Sequence, residues 1–473
     1  MAFCYYGRRG DWGLTASLAL PLAMFLYIPC DSVLSQGSHF FICVILFIML
    51  DIAFILENKE IVQKAIQDKR KDPVDFDTLE ALYTKRSELV ASIGEHNRQR
   101  KLAAEARDVE RGSALKQQLA GMEDALRTAT KELTAIVAAI PNIPSPDVPV
   151  GADEDDNVVL RQWGEKPSFS FQPKAHWVIG KERGLIDNER AAKVVGSRFT
   201  YLKGGLVRLQ FALIQWVLEV VTNAVVLQEI ITKNGLSVPN TPFVPVIPPV
   251  MITPEMFFGM ARLEPREERY YISEDNLFLI GSAEHTLGSM HAAEQFAEAA
   301  LPLRYIGYST AFRREAGSYG KDTKGILRQH QFDKLEFQSF TVGEKSKPEQ
   351  DFLVALQEYL TQQLNLPYQV LAVCTGDMGG PDVRQIDIET WMPGQDTYRE
   401  THSADLMGEY QARRLGTKVK RDSGEKEFVH TNDATAFAMG RTLIAIIENN
   451  QREDGSIVVP EVLRPYAGGL ETI

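Results

Sequence analysis

The chain has little cysteine and spreads it unevenly: of four cysteines, Cys4, Cys30 and Cys43 precede residue 49, and Cys374 stands alone in the rest. With no CxxC pair and no HExxH string, a disulfide framework and a thiolate zinc site are excluded, and a reducing compartment is indicated. The GxxxxGK[ST] phosphate loop is also missing, so an ATP-using enzyme here needs a different phosphate cradle. Positive charge is in the minority, with 51 Lys and Arg against 63 Asp and Glu and a formal net charge of −12. That argues against non-specific coating of nucleic acid, and any RNA contact must come from a local basic patch. Long apolar runs are lacking too. Leu14 to Pro29, interrupted by Pro21, and Phe40 to Leu50 each fall short of the roughly 20 residues of a spanning helix. What is present is ordinary globular material, 473 residues at 44% hydrophobic and 24% charged, enough for two domains or more.

The most informative stretch reads FRREAGSYGKDTKGILRQHQFDKLEFQSF, from Phe312 to Phe340. A β-like run over Arg304 to Arg313 breaks into the Gly- and charge-rich Glu315 to Gly325 and resumes from Ile326, which predicts a hairpin with a long loop. On a strand alternate residues share a face, so Arg328, Phe332 and Glu336 are expected to point one way, as are Arg313 and Glu315. Guanidiniums, a ring and carboxylates on one surface suit a nucleotide: arginine forks for phosphate, a ring for the base, carboxylates for an amine. A solvated face with surface ion pairs is the alternative.

Upstream, Leu79 to Ile140 predicts an antiparallel helical hairpin. Leu115, Leu119, Met122, Leu126, Ala129, Leu133, Ile136 and Ile140 form a heptad seam, and Leu79, Leu82, Leu89 and Ile93 supply the partner. Asp108 to Ser113, with Gly112, is the expected turn. Around it Arg98, Arg100, Lys101, Arg107, Arg111 and Lys116 outnumber three acidic residues, either a solvated rod or a footprint for phosphate contact. Ile140 to Asn157 carries four prolines and an acidic cluster and reads as a linker. Arg208 to Thr232 reads as an apolar helix, Pro242 to Pro249 as a proline-rich strand entry, and Asp351 to Leu364 as an amphipathic helix. Ser282-Ala283-Glu284 follows an apolar strand. Its hydroxyl and carboxylate suit an amino-acid ammonium, or equally a helix N-cap. Thr431 to Asn450 reads as a buried helix whose Arg441 needs either a structural carboxylate or an incoming anion.

The order FR-x-EAG, basic loop, G-x-x-R-x-HQF-x-K-x-E resembles motif 2 of the class II aminoacyl-tRNA synthetases in the form found in the seryl-tRNA synthetase family. MLDIAFILENKEIVQKAI, from Met49, resembles the start of bacterial members, so residues 1–48 are expected to be upstream sequence from a misassigned start codon, and no stable membrane partner is expected. The resemblance implies an α+β fold: an antiparallel sheet flanked by helices, with an N-terminal antiparallel coiled-coil arm. It divides the chain into a tRNA-binding domain (49–140), a linker (141–160) and a catalytic domain (161–473). It implies ATP-dependent activation of serine and transfer to tRNA(Ser), and further tRNA(Sec), by a cytoplasmic homodimer whose interface is built by the motif 1 helix and strand, which Arg208 to Thr232 and Pro242 to Pro249 resemble. ATP would be held by Arg313, Arg314, Glu315, Arg328, Phe332, Glu400, Ser403 and Arg441, with Arg313, Glu400 and Arg441 catalytic and Mg2+ on Glu400 and Ser403. Serine would be held by Ser282, Glu284, Arg313, Glu336, Asp433 and Thr435, and the tRNA by the six basic residues of the arm. The chain departs from the family's TLN-x-S/T at Asn432 and Asp433. Two other functions fit the same residues: a paralogue loading another acceptor such as a carrier protein, and a non-catalytic RNA-binding paralogue.

Overall fold

The computed structural model describes residues 50–316 and 324–473. The expectation for residues 1–48 and the tip of the motif 2 loop lie outside the described residues. Four helices open the described chain: α1 (Ile52–Glu57), α2 (Lys59–Asp68), α3 (Phe76–Glu105) and α4 (Val109–Ala139). Asp75 accepts hydrogen bonds from the Asp77 and Thr78 amides and starts α3; Asp108 accepts from the Arg111 amide and starts α4. The turn therefore lies one step before the expected one, at Ala106 to Asp108. Arg107 takes the positive φ (55°) that closes α3, while Gly112 is helical. Of the expected seam, Leu115, Leu119, Ala129 and Leu133 are buried in α4 and Met122, Leu126 and Ile136 half-buried, while Val137, outside the expected set, is buried with them.

The base of this hairpin is fixed to the body. Leu79, Leu133 and Val137 pack with Ile55, Val62, Ile66 and Tyr410, and the Tyr410 hydroxyl donates to the Ile140 carbonyl at 2.7 Å. The buried Lys69 ammonium donates to the carbonyls of Gly379, Gly380 and Asp382 at 3.0, 3.1 and 2.5 Å. The proline-rich segment is equally anchored. The Asn142 side-chain amide donates to the Pro381 and Met407 carbonyls, and a strand begins at Val158, earlier than the expected linker end.

The body is built on eight strands: β1 (Val158–Trp163), β2 (Val244–Val246), β3 (Leu303–Phe312), β4 (Gln331–Thr341), β5 (Tyr368–Ala372), β6 (Arg384–Met392), β7 (Thr397–Gly408) and β8 (His430–Ala438). They lie in the order β1-β5-β6-β7-β8-β4-β3-β2. All neighbours are antiparallel except β2 and β3. Thr431 to Ala438 is thus a central strand and not helix: Thr, Ala and Phe alternate where both flanking strands demand a ladder, and tertiary pairing overrides the helical reading. The apolar helix after Arg208 is two helices, α5 (Gly205–Val221) and α6 (Ala224–Lys233), bent by 78° where Asn223 caps the second. Among the described residues no single helix is long and apolar enough to cross a membrane. The amphipathic helix α7 (Ser346–Gln363) starts earlier than expected, and α8 (Met439–Asn449) follows β8 directly.

Strand alternation decides what each sheet face does. Leu335 and Phe337 of β4, Ile386 and Ile388 of β6, Ala404 of β7 and Ala434 of β8 join α5, α7 and α8 in the main core. The intervening Lys334, Glu336, Ser403, Asp405, Asp433 and Thr435 line a polar cavity on the other face.

Candidate active site

That cavity, about 530 Å3 in volume, is lined by most of the residues expected from sequence. The motif 2 hairpin forms, but its second strand begins at Gln331, so Arg328 belongs to the loop and not to the strand. Arg313 and Glu315 also lie past the end of β3, and Glu315 has a positive φ (53°). Alternation therefore does not bring these groups together; loop packing does. The Arg313 amide donates to the His330 carbonyl, and the His330 ring bonds the Arg313 carbonyl at 2.9 Å. The Arg313 Nε donates to the Gly281 carbonyl at 3.2 Å, and its guanidinium lies 5.4 Å from the Phe332 ring centroid. Arg328 lies 3.6 Å from a Glu315 carboxylate oxygen. Arg314 is not brought in: exposed, it donates to the Arg269 carbonyl and lies over the Tyr270 ring at 4.8 Å.

Glu400 and Ser403 are three apart on β7, which on a regular strand would put them on opposite faces. The register against β6 slips between Ile388 and Glu389, leaving Thr401 as an extra residue. This bulge turns both side chains into the cavity. Arg441, in the first turn of α8, meets the Glu400 carboxylate at 2.8 Å and donates to its carbonyl at 3.0 Å. Desolvation by the cavity walls raises the Glu400 pKa, but Arg441 and Arg313 outweigh it and hold the carboxyl below the ordinary range. Sequence reasoning missed Asp387, which faces Ser403 across the ladder; burial and the Glu400 charge push its carboxyl well up. Glu400, Ser403 and Asp387 are hard oxygen donors of the kind that suits Mg2+, with Arg441 and Arg313 already beside Glu400.

A second sector is rich in carboxylates. Glu336, 1% exposed, takes the Lys334 ammonium at 2.5 Å and hydrogen bonds from Ser282 at 3.1 Å and Thr435 at 3.5 Å. Burial raises its pKa despite the lysine. Glu284 begins a short helix (Glu284–Ser289) and faces Arg262 at 3.2 Å and His285 at 3.3 Å. Burial acts to raise it, yet Arg262 and His285 bring it well below the usual carboxylate range. Arg262 also holds Asp382 at 3.3 Å and Asp405 at 3.1 Å. Arg262 and Asp405 were missed, because nothing in MARLEP or in the spacing of β7 marks them as cavity residues; Lys334 stands in the motif 2 string, between Phe332 and Glu336 on one strand face, and carries no role from the sequence alone. The two departures from TLN-x-S/T separate cleanly: Asp433 faces the cavity, while Asn432, on the opposite face, is fully buried beneath it. The six basic residues of the arm are all exposed around its tip, with Arg98 also paired to Glu95 at 2.9 Å.

An antiparallel sheet carrying an arginine-and-aromatic pocket on one face and helices on the other is the core of a class II aminoacyl-tRNA synthetase. Residues 269–450 match the family model of the tRNA synthetase class II core domain (G, H, P, S and T), and residues 49–144 match the seryl-tRNA synthetase N-terminal domain. The serine–tRNA ligases of Geobacillus and Brucella canis are 40% and 41% identical to it, over 90% of this chain and 100% and 99% of their own lengths. The seryl-tRNA synthetase of Pyrococcus horikoshii, solved with ATP, superposes with a TM-score of 0.76 at 33% identity over 90% of this chain and 99% of its own. The Naegleria fowleri cytoplasmic serine–tRNA ligase, solved with AMP, gives 0.74 at 29% over 90% and 98%. The chain belongs to the seryl-tRNA synthetase family.

Proposed function

We propose that the protein activates serine with ATP to seryl-adenylate and transfers the seryl group to tRNA(Ser). The observation that carries this reading is the pairing, within one cavity, of an arginine sector beside an aromatic ring with a buried carboxylate sector. The first suits a nucleoside triphosphate and the second an amino acid's ammonium and hydroxyl. The serine carboxylate is already ionised at neutral pH and attacks the α-phosphate in line, expelling pyrophosphate, so the step requires positioning and charge neutralisation more than a base. Arg313 lies between the sectors and neutralises the α-phosphate and the serine carboxylate. Phe332 stacks on the adenine and Glu315 accepts from its amine. Arg328 and Arg441 take the outer phosphates, Arg441 leaving Glu400 as they arrive. Glu284 takes the ammonium; Glu336, with Thr435 and Ser282, reads the hydroxyl. Arg314 has no part in this scheme.

Glu400 and Ser403, with Asp387 beside them, would hold Mg2+, which when bound neutralises phosphate charge. The arm (49–140) grips tRNA through Arg98, Arg100, Lys101, Arg107, Arg111 and Lys116, the segment 141–160 joins it to the body, and 161–473 carries out catalysis. A homodimer through the motif 1 elements is supported by Phe211 on α5 and Val244 and Ile247 at β2, which are 58%, 54% and 84% exposed. The reading also covers a cytoplasmic location and charging of tRNA(Sec). Serine-dependent exchange of pyrophosphate into ATP, followed by charging of tRNA(Ser), tests it: failure of the first assay rejects the activation step, and failure of the second alone points to another acceptor.

A further inference from the structure

His176 does not line the cavity. It is 0% exposed and begins a short helix (His176–Glu182), yet it joins the two segments that carry Arg328 and Arg441. Its Nδ1 and its backbone N–H both lie against Glu448 Oε1, at 2.9 and 3.0 Å. Glu448 stands on α8, two turns beyond Arg441 and on the same side of the helix. Gly394 and Gln395 donate to the same carboxylate at 3.0 and 2.9 Å, which makes it a fixed point. On the other edge of the ring, Nε2 accepts the Ile326 N–H at 3.2 Å. A nitrogen that accepts carries no proton, so the ring's proton sits on Nδ1 and is donated to Glu448.

Ile326 lies on the returning limb of the motif 2 loop, two residues before Arg328. The Asn188 side-chain amide donates to the Gly325 carbonyl at 3.1 Å, and that carbonyl shares one peptide plane with the Ile326 N–H. A single tether would let the plane turn. Gripped at both ends, it sets the direction in which the chain leaves toward Arg328. Gly325 has φ 72°, and a Cβ there would strike His176 Nε2. A Cβ at Gly440, next to Arg441, would lie 2.9 Å from the Ile326 carbonyl oxygen. The limb is therefore pressed between His176 and the first turn of α8. Its next tether is the His330 N–H on the Arg198 carbonyl at 3.0 Å, and Arg328 lies midway between the two.

We propose, resting on the serine-activation reading and deepening it, that His176 is a positioning residue for ATP. Held by Glu448, it fixes the returning limb of the motif 2 loop against α8 and so sets the spacing between Arg328 and Arg441, the two arginines that take the outer phosphates. His176 touches no substrate and acts only through these two side chains. Phosphoryl chemistry that depends on placing charge is sensitive to displacement of the groups that carry it. The carboxylate sector, Glu284 and Glu336, stands on other elements and is not tied to His176.

The test is pyrophosphate exchange by the full chain, with KM measured separately for ATP and for serine, in H176N, H176Q and G325A. Asparagine places an amide N–H near the Nδ1 position and keeps Glu448 partnered, but ends short of Ile326. Glutamine reaches the Nε2 position, where its carbonyl can accept the Ile326 N–H. G325A keeps the His176–Glu448 pair and drives the limb off the ring. H176N and G325A are expected to raise the KM for ATP about fivefold or more while that for serine stays within about twofold. H176Q is expected to restore the KM for ATP to within about twofold of wild type. A histidine that merely stabilises the fold gives a different pattern: H176Q, which leaves Glu448 short of a donor, is then the worse of the two histidine variants, and both constants move together. Either of those results overturns the proposal. A KM for ATP in G325A within about twofold of wild type overturns it too, and that comparison stands even if neither histidine variant folds. A wild type that exchanges no pyrophosphate is a distinct result, which overturns the activation reading and this inference with it.

Discussion

Replacing Arg98 to Lys116 with a short glycine-containing turn should separate the two halves of the reaction. In the structure this removes the last two turns of α3 and the first two of α4, each about 12 Å of rod at 1.5 Å per residue. The buried apolar side chains lost are Ala103 and Leu115, whereas Leu119, Ala129, Leu133 and Val137 remain. The seam loses about 1–3 kcal/mol locally and the base cluster nothing. All six basic residues go. If each met one phosphate, the logarithmic salt slope of tRNA binding in the intact protein would be roughly −4.2 to −5.4, at about 0.7–0.9 per contact. Affinity would then fall on the order of 300- to 1,800-fold between 50 and 200 mM salt. The bulk charge of −12 offers no compensating attraction. Pyrophosphate exchange should survive the replacement within about twofold, because the cavity is untouched, while the KM for tRNA(Ser) should rise by two orders of magnitude or more and its salt slope flatten. Unchanged charging with an unchanged slope would refute the assignment of the arm. Loss of both activities would show that the arm supports the body.

Three further outcomes are expected. Arg313→Ala should lower the exchange rate by roughly 100- to 1,000-fold or more with little change in melting temperature, since it removes charge stabilisation at phosphorus and no core packing; near-normal exchange would reject the motif 2 assignment. Glu336→Gln should raise the KM for serine far more than that for ATP, because it strips the buried Lys334 of its counter-charge and the substrate hydroxyl of its acceptor; parallel changes in both constants would reject a role in serine reading. Lys69→Ala leaves the carbonyls of Gly379, Gly380 and Asp382 without their donor, at about 1–3 kcal/mol, and should expose residues 50–70 to faster hydrogen exchange while protection of β4 and β8 is unchanged; uniform loss of protection would show that the contact stabilises the whole chain.

What the sequence made legible was what has a period or an order. The heptad seam of α4 and the string of motif 2 residues carried the arm and the hairpin, since both depend on neighbours in the chain. What it hid depends on partners far away. Thr431 to Ala438 has a composition compatible with helix, and only its place between β4 and β7 makes it a strand. The bulge at Thr401, which brings Glu400 and Ser403 onto one face, has no local signature. Arg262 gathers Glu284, Asp382 and Asp405 from three separate segments, and such a hub cannot be read from any one of them. Arg314 shows the opposite error: adjacent in sequence to Arg313, it is turned away by its contacts with Arg269 and Tyr270.

The three attachments at the base of the arm, through Lys69, Tyr410 and Asn142, have a mechanical meaning. α3 is a rod of about 45 Å by its residue count, clamped at one end like a cantilever, so angular play at the clamp is magnified by its length. A tilt of about 5° at the base swings the tip by about 4 Å, close to the rise of a full helical turn. A clamp that held by one contact would let the rod pivot. Three spaced contacts resist torque about more than one axis, and so would convert the proposed grip on RNA at the far end into a defined position for the RNA's other end over the cavity. The angular stiffness of the polar contacts around Gly379 to Asp382 therefore sets the aim of the whole device, in the way that the bearing of a crane, more than its hook, decides where the load comes down.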